Sequence, residues 1–339
     1  MRGKYFSYIS LVCASLLMAT ACTKDGDYEV PKPKNELQND CIKRSLGPNL
    51  VGLNIEFAYA IGIPAAKGKL VSAQVVASIP GVQVKPGDQA NSATYLQDSS
   101  FYTNGSGVDV PVKVGDRSVT KEGANVVTFT KDTNAVTLRY FYRIPEEARG
   151  RTVKFTFTAT SSNGETVSYD MGPYTIAKMD MKLNLTPTNN NKCYLSIADL
   201  ALYNAAEAAA NPDKIDLVYL YRNLSVQFGH ALVAPAAPKD YLPGVTLPAN
   251  VNRDTKLSKA WNVQDFHLAG LKYGTTFVDD VDFEKLDMSA SPDFALGLKE
   301  EGGVWVETSD GKYRAYIFVN KVDNTAQSAR ISIKRYTLK

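Results

Sequence analysis

Two histidines and two tryptophans in 339 residues leave little material for the usual catalytic constellations. A zinc site that does chemistry normally takes three protein ligands, and neither an H-E-x-x-H nor a Cys-x-x-Cys spacing occurs. A G-x-S-x-G nucleophile elbow, a phosphate-binding glycine loop and a cysteine–histidine arrangement are missing as well. Those gaps argue for a protein that is not an enzyme and carries no cofactor. Charge of one sign is also lacking. Once Arg2 and Lys4 are set aside with the leader described below, 36 basic residues face 35 acidic ones, a net charge of +1. That balance implies no nucleic-acid partner. Cysteine is too rare for a disulfide framework: Cys13 and Cys22 fall at the start, leaving Cys41 and Cys193 as one candidate pair or as two buried thiols. After the first 21 residues no apolar run is long enough to span a membrane.

What is present begins with a short leader. Arg2 and Lys4 precede an apolar run over residues 6–18, and Ala19-Thr20-Ala21 leads into Cys22. This is the layout of a secretory signal with a small-residue cleavage site, too short for a spanning helix. It resembles the lipobox of bacterial lipoproteins. The resemblance implies a signal peptide over 1–21 and a lipidated Cys22 that holds the protein to the membrane. Stable anchoring needs more than one acyl chain, which a diacylglyceryl thioether supplies. Residues 22–45 then read as a flexible, polar tether with Pro31 and Pro33. Lys24, Asp25, Asp27 and Glu29 resemble the export signal of lipoproteins on the outer face of the Bacteroidota outer membrane.

Residues 46–177 alternate with a period of two. Ile55, Phe57, Tyr59 and Ile61 keep this period, as do Val153, Phe155, Phe157 and Ala159, and Ser161-Ser162-Asn163-Gly164 marks a hairpin turn. About seven short strands punctuated by turns predict an immunoglobulin-like sandwich. Residues 178–339 predict a second, antiparallel β domain with long loops. Its alanine-rich stretch 199–210 is either a short helix or a broad loop, and 231–252, with four prolines, is a long ordered loop. The expected fold class is therefore all-β in two domains.

Gly303-Val304-Trp305-Val306-Glu307-Thr308-Ser309-Asp310-Gly311-Lys312-Tyr313, followed by a strand at 331–336, resembles the end of Bacteroidota surface lipoproteins, including haem carriers of the HmuY kind. Tyr140-Phe141-Tyr142-Arg143-Ile144-Pro145 with 155–174 is similar to a sandwich domain of two-domain lipoproteins from the same phylum. The resemblance implies a surface protein that binds a glycan and works beside an outer-membrane transporter. Stacking on a sugar needs exposed rings among polar neighbours, so Trp261, Trp305, Tyr241, Tyr273 and Tyr102 are the candidate ligand contacts. Trp305 shares a strand face with Glu307 and Ser309, which sets it either on the polar side of its strand or packed against Arg314 or a neighbouring strand. The alternative is haem, with His230 and His267 as axial ligands. A pilin-like structural role is a second alternative. Asp280, Asp282 and Glu284 alternate as on a solvated strand face, without the spacing of a calcium loop.

Overall fold

The computed structural model describes residues 34–83, 93–116, 118–121, 123–224, 228–270 and 275–338. The N-terminal domain contains β1 (Gln38–Lys43), β2 (Asn54–Gly62), β3 (Leu70–Ala77), β4 (Tyr95–Leu96), β5 (Ser99–Thr103), β6 (Asp109–Lys113), β7 (Val119–Lys121), β8 (Ala124–Thr128), β9 (Ala135–Arg143), β10 (Thr152–Ser161) and β11 (Thr166–Thr175). They form two sheets, ordered β1-β2-β9-β4 and β11-β10-β3-β8-β7, with β5 and β6 as a separate hairpin. Every second residue of β2, β9 and β10 points inward, which gives an aromatic core of Phe57, Tyr59, Tyr140, Phe155 and Phe157. Phe57 and Phe155 lie 4.8 Å apart, and Tyr140 meets Phe157 edge-on at 90°. The buried phenols keep partners: Tyr142 donates to the Ile79 carbonyl at 2.9 Å. This is the immunoglobulin-like sandwich that the alternation predicts.

The expected tether of 22–45 is too long by one strand. β1 pairs with β2 along its whole length, from Gln38 opposite Gly62 to Lys43 opposite Phe57, and Leu37 and Cys41 enter the core. An edge strand needs only one apolar face, so two inward side chains suffice in a segment whose composition reads as solvated. The candidate Cys41–Cys193 bond is not formed. Both are free, buried thiols, one in each sandwich core. Burial pushes Cys41 up to about 12 and raises Cys193 as well.

The C-terminal domain contains β12 (Met179–Leu185), β13 (Tyr194–Ser196), β14 (Ala201–Tyr203), α1 (Ala205–Ala210), β15 (Leu217–Arg222), β16 (Gly229–Val233), β17 (Lys256–Trp261), α2 (Phe266–Ala269), α3 (Asp280–Lys285), β18 (Phe294–Leu298), β19 (Gly302–Glu307), β20 (Tyr313–Asp323) and β21 (Ser328–Thr337). One sheet runs β12-β21-β20-β19-β17 and the other β14-β13-β15-β16-β18. On β20, Ala315, Ile317 and Val319 face the second sheet, while Tyr316 and Phe318 face away from it. That outer face is covered too. Leu268, Val278 and Phe283 from α2, α3 and the segment between them pack on it, together with Leu50 of the N-terminal domain. The two domains therefore share a core, and Arg149 adds an ion pair to Asp180 at 2.5 Å. Phe277 fills the space above Gly47, whose φ of +72° suits a residue without a Cβ.

One local expectation is met and another changes. The alanine-rich stretch resolves into α1, closed by a reciprocal capping box in which Asn204 Oδ1 accepts from Glu207 N at 2.9 Å and Glu207 Oε2 accepts from Asn204 N at 2.7 Å. The acidic run near 280 is a helix rather than a strand face. Asp279 caps α3, Asp282 closes its box, Asp280 accepts from Lys178 N at 3.0 Å and Glu284 accepts from Tyr336 Oη at 2.7 Å. Among the described residues no helix is long and apolar enough to cross a membrane.

Candidate ligand-binding cleft

β17 and β18 are the edge strands of the two C-terminal sheets. Where they run side by side, the sandwich is left open and a cleft of about 830 Å³ enters it. Its walls come from the end of β17 (Lys259, Trp261), from β18 and Lys299, from Gly302 and Gly303 of β19, from Gly229 and His230 of β16, and from Val322 and Asn324. Glycine shapes the opening. Gly302 is the cross-strand partner of Trp261, so the ladder places no side chain opposite the indole. Trp261 is accordingly 71% exposed. Gly229 has a φ of +57°, a conformation that suits a residue without a Cβ, and it lies beside Gly297 in the wall.

His230 is 3% exposed and fully engaged. Tyr219 Oη donates to its Nδ1 at 2.6 Å, and its Nε2 donates to Asn324 Oδ1 at 2.9 Å. Burial lowers its pKa, which keeps the ring neutral in this tautomer. Tyr221 closes over it at 4.6 Å. Its function in the wall is to hold Asn324 by the carbonyl oxygen, which leaves the amide Nδ2 without a protein partner among the described residues. Lys259 Nζ donates to the Leu296 carbonyl at 3.0 Å and so ties β17 to β18. Lys299 is exposed and makes no ion pair among the described residues.

Of the candidate aromatic contacts among the described residues, only Trp261 reaches the cleft. Trp305 lies on the other face of its sheet, packed on Tyr316 at 4.6 Å and edge-on to Phe283 at 5.5 Å. Of its two expected settings the packed one is found: the face it shares with Glu307 is covered by residues that follow β17, a cover that strand alternation does not reveal. Tyr241 stacks on Phe294 at 3.8 Å against the sandwich core. Tyr102, 54% exposed, belongs to the β5–β6 hairpin of the N-terminal domain. Tyr273 and Cys22 lie outside the described residues. The two histidines are not brought together: His267 sits on α2 beside Phe277 at 4.9 Å, on the outer face of the sheet whose inner face borders the cleft. A bis-histidine haem site does not assemble, because His230 has both nitrogens bonded and His267 lies across a sheet. Lys259, Lys299, Asn324 and the wall glycines were not among the candidates. The visible signal for them was glycine recurring at 229, 297, 302 and 303 in strand-rich sequence.

Fold and cleft together define a two-domain all-β protein whose C-terminal sandwich is open along one edge. The chain belongs to the DUF4466 family. Residues 34–176 match the "Domain of unknown function (DUF4466)" and residues 177–338 the "Domain of unknown function (DUF8576)", so the two family domains meet between β11 and β12. The crystal structure of a DUF4466 family protein from Parabacteroides merdae is 48% identical, with a TM-score of 0.81 over 90% of this chain and 100% of that one. Comparison with curated proteins finds no match.

Proposed function

We propose that this protein is a non-enzymatic surface lipoprotein, held in the outer membrane through Cys22, that captures a glycan in the C-terminal cleft and passes it to an outer-membrane transporter. One observation carries the reading: a tryptophan 71% exposed at the mouth of a cleft, with glycine as its cross-strand neighbour. The size of the cleft, about 830 Å³, is that of a small-molecule or oligosaccharide site. A flat indole stacks on the apolar face of a pyranose, while the Asn324 amide and the lysine ammonium groups meet hydroxyls. The leader supports the location.

Affinity electrophoresis or calorimetry across a polysaccharide panel tests the site. Trp261→Ala is expected to weaken binding by about 30-fold, the roughly 2 kcal/mol of an aromatic anchor, without loss of folding because the ring is in solvent. Unchanged binding in Trp261→Ala, or no retention across the panel, removes the glycan reading. Palmitate labelling that survives Cys22→Ala removes the anchor.

A further inference from the structure

We infer that the cleft selects acidic glycans, sugars that carry a carboxylate or sulfate, over neutral ones. This rests on the glycan reading above and sharpens it. Among the described residues that line the cleft there are two cations, Lys259 and Lys299, and no carboxylate. The arrangement is local, since basic and acidic residues nearly balance over the whole chain. The nearby acids stand outside the lining: Asp323, next to Asn324, accepts from Ala326 N at 2.8 Å in its own turn, although its charge reaches His230, and Glu300 and Glu301 at the β18–β19 hairpin are not part of the wall. His230 adds no charge, because burial keeps it neutral and Tyr219 and Asn324 occupy both nitrogens.

Geometry makes the two lysines part of the same surface as the indole. Lys259 and Trp261 are two residues apart on one face of β17, about 7 Å along the strand. The carboxylate of a uronic acid projects from the edge of its ring, while one ring face stays apolar. A ring stacked on Trp261 therefore presents its anionic edge to an ammonium within side-chain reach. Lys259 spends one N–H on the Leu296 carbonyl, which anchors the side chain and leaves two donors. Lys299, unpaired among the described residues, approaches from the facing hairpin. Lysine is a point charge on a flexible stem, which suits a pendant carboxylate or sulfate whose position varies along a polymer.

Calorimetry with the mature chain tests this against polygalacturonate and chondroitin sulfate, with neutral galactan and dextran and a single-stranded DNA alongside. The variants are Trp261→Ala and the double variant Lys259→Met/Lys299→Met, which keeps the apolar stems. The acidic polysaccharides are expected to bind and the neutral ones to bind at least tenfold more weakly. The double variant is expected to lose about 25-fold, about fivefold for each ammonium. Binding should also weaken between 50 and 300 mM salt. Neutral polymers bound as tightly, dependent on Trp261 and indifferent to the double variant, would overturn the inference and leave the glycan site standing. Acidic polymers bound no better than the DNA and without need of Trp261 would also overturn it, as general polyanion attraction. Retention of neither polymer class would overturn this inference and the glycan reading together.

Discussion

Replacing Lys334 by methionine is expected to destabilise the shared core between the domains by about 4 kcal/mol. Lys334 and Asp265 are both fully buried, with Nζ 2.5 Å from Asp265 Oδ2 and 2.8 Å from the Val278 carbonyl. Asp265 also accepts from Leu268 N at 3.1 Å as the cap of α2 and from Val278 N at 2.6 Å. One buried pair thus fixes both α2 and the chain leading to α3. Methionine fills most of the volume, yet it leaves a buried carboxylate without its cation and the Val278 carbonyl without its donor. Removing one partner of such a pair costs roughly 3–5 kcal/mol. A domain with about 5–15 kcal/mol of stability loses a large part of it. Burial lowers the pKa of Lys334 despite the attraction of Asp265, so desolvation outweighs the pairing. It follows that Asp265→Asn/Lys334→Met should be more stable than Lys334→Met alone, since the asparagine can still cap α2 and carries no charge. The chain has only two tryptophans, so a Trp261→Phe background leaves Trp305, within this same core, as the sole indole reporter. Urea unfolding followed by its fluorescence measures all three proteins. A cost below about 1 kcal/mol for Lys334→Met, or a double variant no better than the single one, refutes the reasoning.

Gly303→Ala places a Cβ 2.1 Å from Tyr316 Oη, and that fully buried ring is tied by its hydroxyl to the Val263 carbonyl; a loss of about 1–3 kcal/mol is expected in the same fluorescence assay, and a neutral result contradicts the packing. Two buried groups give opposite responses to acid. Burial raises Asp216 to about 6 despite Arg253 at 3.0 Å, so its contribution to stability is full below its ordinary 3.8 and is lost as pH rises through 6. Burial and the nearby Lys334 lower His267 to about 4, so its contribution is full above 6.5 and is lost as pH falls through 4. Between pH 6 and 4 the melting temperature should therefore fall more steeply for Asp216→Asn than for wild type, and less steeply for His267→Gln; parallel profiles would show that neither group is buried as described. Cys41 and Cys193 should resist alkylation in the folded protein and react after denaturation, read by peptide mass spectrometry, whereas a disulfide between them or native labelling would contradict the two separate cores.

Strands that alternate large apolar residues over eight or more positions were legible in the sequence. β9 and β10 show this: Val136, Leu138, Tyr140 and Tyr142 on one and Val153, Phe155 and Phe157 on the other point inward, and apart from Phe141 the residues between them are polar or small. Short elements decided by a few hydrogen bonds were not. The acids at 279–284 carry the same alternation on a helix as on a strand, and only the reciprocal bonds of Asp279 and Asp282 select the helix. β1 escaped notice because pairing, not composition, makes it a strand. At the cleft, Trp261 was legible as a ring among polar neighbours, but Lys259, Lys299 and Asn324 are joined to it only by the meeting of two sheet edges. No local pattern encodes which edges meet.

The two tryptophans show why the cleft, and not another surface, is the place to expect a ligand. Both belong to the same sheet, yet they lie on opposite faces of it. Covering an indole of about 200 Å² contributes roughly 5 kcal/mol at 25 cal/mol per Å². Trp305 obtains most of this from Phe283 and Tyr316, within a core completed by the N-terminal domain. Trp261 does not, although a larger residue in place of Gly302 would shield it from its own neighbouring strand. The fold can pack an indole against this sheet and does so once, with Trp305 partly buried. At the second position it keeps the ring in water, beside two lysines and an amide whose Nδ2 has no protein partner among the described residues. An apolar surface left bare next to unused donors is satisfied by a molecule that brings an apolar face and acceptors together, which is the chemistry of a sugar ring with an anionic edge.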